Sequence, residues 1–154
     1  MTGFAIAPAT EMVVVAGLFR AYVDSLGIDL GFQAIEAELA GLPGKYAPPQ
    51  GALLLARDAQ GQPLGCVALR PLAGTCCEMK RLYVTPAARG LRLGQALAEA
   101  AIAEAARLGY REMRLDSLPQ MAAAQALYRK LGFVEIAPYY ATPVVGTVFM
   151  GRAV

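Results

Sequence analysis

Residues 81–97, RLYVTPAARGLRLGQAL, run from an extended piece through a basic turn straight into a helical pattern. The strand-like REMRLDSL follows that helix. A strand, a helix and a second strand in that order form a crossover, the connection that parallel neighbours in a sheet require. CCEMKRLYV and REMRLDSL are therefore expected to be parallel central strands, joined by a helix from about Leu91 to Leu108. A turn that feeds a helix leaves several backbone N–H groups unpaired at the positive end of the helix dipole, which is a site for phosphate. Gly90 and Gly94 allow close approach of a bulky anion, and Arg89 and Arg92 add charge. Neither a GxxxxGK[ST] loop nor a G-x-G-x-x-G fingerprint is present. The alternative is a solvated basic turn in which Gly94 accommodates helix packing.

The flanking pattern is mixed. After a short apolar start at Phe4, Thr10 is expected to cap a helix that Gly27 stops, and FQAIEAELAGL reads as a second helix ending before Pro43. PGKYAPPQG reads as a loop, and GALLLARD, AQGQ and PLGCVALRPL as a hairpin. In the next strand alternation puts Glu78, Lys80 and Leu82 on one face and Met79, Arg81 and Tyr83 on the other. The crossover helix carries an apolar stripe of Leu93, Leu97, Ala100, Ala101, Ala105 and Leu108, closed by Gly109. PQMAAAQALYRKLG is expected as a helix with Pro119 in its first turn, then FVEIA and GTVFMGRAV as strands.

The 154 residues and their 56% hydrophobic content suit one domain spanning 1–154. A net charge of +2 without blocks of like charge argues against a nucleic-acid partner. No apolar run reaches membrane-spanning length and the N-terminus lacks a signal-peptide pattern, so a soluble cytoplasmic protein without a membrane partner is expected. Histidine is absent, which removes Ser-His-Asp and Cys-His sites and His-bearing zinc sites. Cys66, Cys76 and Cys77 make no CxxC pair and read as reduced, buried thiols.

EMKRLYVTPAARGLRLGQALAEAAI followed by MAAAQALYRKLGF resembles the acetyl-CoA-binding core of the GNAT N-acetyltransferase superfamily. The likeness covers residues 51–137 and rests on two motifs: Q/R-x-x-G-x-G/A after a strand, then Asn-x-x-Ala-x-x-x-Tyr with a K-x-G-F ending. It implies an α/β fold with a mixed, mostly antiparallel central sheet, splayed parallel central strands and helices on both faces. It also implies a cofactor core at 76–133, acceptor-side helices within 1–50, acetyl-CoA as co-substrate and no metal. By this resemblance the amides of Gly90, Leu91, Arg92, Leu93, Gly94 and Gln95, with Arg89 at the first signature position, cradle the pyrophosphate of CoA. Leu82, Tyr83 and Val84 run beside the pantetheine arm, with the Leu82 N–H toward the thioester carbonyl. Arg92 stands where a glycine is usual, and Met121 where asparagine is customary. Ala124 matches the small residue near the cofactor, and Tyr128 the tyrosine that protonates the departing thiolate. Glu78, eleven positions before Arg89, matches the glutamate base of some members.

The implied reaction is direct attack of an amine on the acetyl group in a ternary complex. For the acceptor, Tyr22, Tyr46, Tyr139 and Tyr140 are candidates for an aromatic rim, and Asp24, Asp29 and Glu36 for attracting a cation. A small amine, a peptide N-terminus and a protein lysine all stay open, as do a homodimer and a non-catalytic acyl-CoA sensor.

Overall fold

The computed structural model describes residues 3–27 and 34–154. Seven strands form one sheet in the order β1 (Ala5–Pro8), β2 (Ala52–Arg57), β3 (Pro63–Ala73), β4 (Cys76–Val84), β5 (Glu112–Ser117), β7 (Val148–Ala153) and β6 (Val134–Glu135). Every neighbouring pair is antiparallel except β4 and β5. That is the mixed sheet anticipated from the crossover.

The sheet separates two cores, with helices on both faces. Helix α3 (Leu93–Arg107) presents Leu93, Leu97, Ala101 and Ala105 to Leu54, Val67, Leu69 and Met79 on one side. Helix α1 (Met12–Leu26) brings Val15, Leu18 and Phe19 against Leu53, Leu55, Cys66 and Tyr83 on the other. The run ALLLA in β2 is apolar throughout because both of its faces are covered. Leu93 and Leu97 are almost wholly buried, and each such side chain contributes on the order of 2 kcal/mol. Their anchoring sets the N-terminus of α3 at the end of β4.

Helices α2 (Ile35–Ala40) and α4 (Ala122–Lys130) complete the fold. Helix α1 is capped by Glu11 rather than Thr10, and ends as expected at left-handed Gly27. Helix α4 begins beyond Pro119, whose ring therefore lies outside the first turn. PGKYAPPQG is more than a loop: a 3₁₀ turn, Gly44–Tyr46, drives Tyr46 into the α1 core edge-on to Phe19, with ring centroids 6.0 Å apart.

The largest departure from simple alternation lies within β4. Cys66 pairs with Tyr83 but Ala68 with Lys80, so Arg81 and Leu82 together oppose one residue, Val67. Arg81 occupies the left-handed region, at φ 59°, as a bulge requires. One extra residue reverses the faces. Cys77 and Met79 lie on the α3 side, as do Leu82 and Val84, whereas Tyr83 packs on the α1 side. Met79 and Tyr83 therefore do not share a face. The Cys66 thiol donates to the Arg81 carbonyl at 3.4 Å, which ties the bulge to β3.

Candidate active site

Parallel pairing between β4 and β5 holds only for Cys76, Cys77 and Glu78 against Glu112, Met113 and Arg114. Beyond Glu78 the strands part. The opening is lined by Met79, Lys80, Arg81 and Leu82 from β4, by Leu115, Asp116, Ser117 and Leu118 from and after β5, and by Tyr22, Leu26, Met121 and Tyr128 from the helices. Leu82 and Tyr128 thus face one cleft, as expected from two distant motifs.

Tyr128 is nearly buried, edge-on to Phe133, and its hydroxyl has no hydrogen-bond partner among the described residues. Burial, reinforced by Tyr22 and the charge of Asp116, raises its phenol above the ordinary tyrosine value. The group keeps its proton at neutral pH and is able to give it to a strong base formed beside it. Ala124 lies one helical turn earlier and half-buried against the α3 core, outside the cleft lining.

At the end of β4 the chain makes a 3₁₀ turn, Pro86–Ala88, and then reaches α3 through left-handed Gly90 and Arg92. The helix opens at Leu93 instead of Leu91, and Arg92 is its cap at φ 58°. Arg92 is therefore not in the helical first turn, and it holds a conformation that glycine adopts more cheaply. Amides 90–95 donate to no backbone acceptor among the described residues; the first helix bond at this end runs from Ala96 to Arg92. Arg89 and Arg92 are exposed and form no ion pair among the described residues. A Cβ on Gly94 would meet Val84 and Leu127 at 3.8 and 3.9 Å, ordinary contact distances. Helix packing therefore does not require this glycine. The small residue, the unpaired amides and the two free guanidinium groups suit an anion as bulky as a pyrophosphate.

A second cavity, of about 460 Å³, adjoins the cleft and shares Lys80 and Arg81 with it. Its wall includes Glu38, Lys45, Arg70, Glu78, Tyr139 and Tyr140. Glu78 is buried, and its oxygens accept from Arg70 Nη1 at 2.7 Å and from the Tyr139 hydroxyl at 2.6 Å. Arg81 forks onto Glu38, with both bonds at 3.0 Å. Burial alone would raise the Glu38 pKa, but the hydrogen bonds and charge of Arg81 outweigh it and hold the carboxyl below its usual value. Tyr140 donates to Asp116.

Of the proposed rim, Tyr139 and Tyr140 line this cavity and Tyr22 lines the cleft, whereas Tyr46 is core. Asp24 is exposed, and Glu36 is spent on Arg20 in solvent; neither reaches cleft or cavity. Asp29 lies outside the described residues. Sequence reasoning missed Glu38, Lys45 and Arg70. The bulge did leave a signal, because apolar residues at 77, 79, 82 and 84 slip by one position. All three cysteines are buried free thiols, and burial pushes Cys66 and Cys77 up to about 12, which makes them poor nucleophiles.

The fold and the parted strands define an acyltransferase architecture, and comparison with known proteins agrees. The family model described as "Acetyltransferase (GNAT) family" matches residues 20–133. An uncharacterized N-acetyltransferase of Schizosaccharomyces pombe is 46% identical over 86% of this chain and 82% of its own length. The uncharacterized N-acetyltransferase YjgM of Escherichia coli is 31% identical over 72% of this chain and 68% of its own. Among solved structures, a GNAT acetyltransferase from Staphylococcus aureus superposes with a TM-score of 0.81 at 20% identity, covering 98% of this chain and 99% of that one. The PaiA N-acetyltransferase of Thermoplasma acidophilum, solved with coenzyme A, gives 0.77 at 19% identity, with 99% of each chain covered. The chain belongs to the GNAT acetyltransferase family and is an acyltransferase.

Proposed function

We propose that the protein transfers an acetyl group from acetyl-CoA to an amine by direct attack in a ternary complex. The observation that carries this reading is that Leu82 and the unpartnered Tyr128 hydroxyl line one cleft, while the unpaired amides 90–95 begin a few residues further along, where Gly94 sits next to Val84 and Leu127. Acetyl-CoA, when bound, supplies the acyl group as a thioester already activated toward amines. Amides 90–95, with Arg89 and Arg92, hold the pyrophosphate, and residues 82–84 flank the pantetheine arm. The backbone N–H of Leu82 stabilises negative charge on the carbonyl oxygen. The Tyr128 hydroxyl supplies the proton for the departing sulfur, and its raised pKa keeps that proton in place until the thiolate needs it.

Near neutral pH an amine is mostly an ammonium and must lose a proton before attack. Glu78, in the cavity beside the cleft, takes it directly or through a water. Residues within 1–50 contribute the acceptor side through Glu38 and Lys45. The PaiA structure was solved with coenzyme A, which supports the same cofactor here.

Calorimetric titration of acetyl-CoA, followed by a thiol-release assay against a pooled amine panel, tests the reading. Binding with amine-dependent release of CoA is the expected result. Absence of acetyl-CoA binding would overturn it.

A further inference from the structure

The cavity beside the cleft carries more positive than negative charge. Arg81 is cancelled by Glu38, and Arg70 meets Glu78 through Nη1 alone. The Nε of Arg70 is buried without a hydrogen-bond partner among the described residues. Among the described residues Lys80 pairs only with Asp116, at 3.9 Å, and that carboxylate also accepts from Tyr140. Lys45 has no carboxylate within ion-pair distance among the described residues, and its ammonium lies 5.9 Å from the centroid of the Tyr46 ring. Two weakly compensated ammonium groups, and a guanidinium only partly met by Glu78, thus line one cavity.

Such a wall repels a dication and favours a ligand that brings its own negative charge. A volume of about 460 Å³ is that of a small-molecule site.

We infer that the acceptor is a small amine that also carries a carboxylate, an amino acid or a close analogue. Its carboxylate lies against Lys45 and Lys80, and its amino group points past Glu78 to the cleft. The inference rests on the acetyl-transfer reading above. Lys45 agrees with it: partial desolvation lowers its pKa, and the charges of Arg70 and Lys80 lower it further against the opposing pull of Glu38 and Glu78. The carboxylate accepts charge-assisted hydrogen bonds from the two ammonium groups.

The test compares matched pairs, glycine, β-alanine, L-leucine and L-glutamate, each against its carboxamide. Thiol release and thermal shift in the presence of saturating CoA are both recorded. Wild-type protein is expected to favour at least one carboxylate over its carboxamide by tenfold or more in kcat/KM. Lys45→Gln should bring that ratio close to one by raising KM with kcat within twofold, and Lys45→Arg should keep it. Lys45 is exposed, so these variants are expected to fold. Carboxamides equal to or better than every carboxylate would overturn the inference, as would an unchanged ratio in Lys45→Gln. If no amine of any kind gives thiol release, it is the acetyl-transfer reading that fails. The thermal shift then decides the cavity alone: stabilisation by carboxylates that Lys45→Gln abolishes supports an anion site, and no such difference overturns it.

Discussion

The two ends of the β4–β5 pair are built from the same kind of strand and do opposite work. At one end Cys76, Cys77 and Glu78 are zipped to Glu112, Met113 and Arg114, with Met113 wholly buried beneath them. At the other, the bulge at Arg81 turns the backbone, pairing stops, and polar side chains face a cleft. The closed end holds the sheet together so that the open end can remain open. The difference teaches that a single extra residue in one strand, placed after the last paired position, is enough to divide a sheet into a scaffold and a site.

If that division is right, substitutions at the two ends should separate activity from stability. Tyr128→Phe, at the open end, should lower kcat about a thousandfold, about 4 kcal/mol of barrier. Acetyl-CoA affinity and the melting temperature should stay near wild type. A loss under tenfold would remove the tyrosine from the chemistry. Met113→Ala, at the closed end, should cost about 3 kcal/mol of stability in urea unfolding. The kcat of the folded fraction should be untouched, and a large fall in kcat would merge the two ends into one. Glu78 sits at their boundary, so Glu78→Gln should lower kcat/KM about a hundredfold near neutral pH while leaving acetyl-CoA affinity near wild type. A loss under fivefold assigns the proton to another group. The smallest effect is expected at the turn that closes the open end. Arg92→Gly should relieve the left-handed strain and raise stability by about 0.5 kcal/mol, after subtraction of the extra freedom glycine has when unfolded. A loss of stability would mean that the Arg92 side chain matters more than its backbone.

The closed end was easier to read from sequence than the open one. Strand, crossover helix and strand are local patterns, and Leu93, Leu97, Ala101 and Ala105 announced the buried face of α3 by spacing alone. The family likeness then brought together Leu82 and Tyr128, which lie 46 positions apart and line one cleft. Strict alternation failed at Arg81, because strand periodicity carries no term for a bulge, although the slipped apolar spacing recorded it. Tyr46 was misread because a run of glycine and prolines suggests solvent, while its ring answers to a core made by α1. Glu38, Lys45 and Arg70 come from a helix, a 3₁₀ turn and a strand, and no short-range rule joins residues so placed.

In the proposed reading, the anion turn at the head of α3 is made chiefly of main chain. Six consecutive amides belong to the peptide bond rather than to any side chain, so replacing most residues of that loop deletes no donor. Proline alone subtracts one. A site of this kind is buffered against mutational drift in a way that the cavity of lysine and arginine beside the cleft is not, since there each donor is the property of one codon. Over generations, therefore, such a chain is free to change what it acylates while keeping hold of the donor molecule.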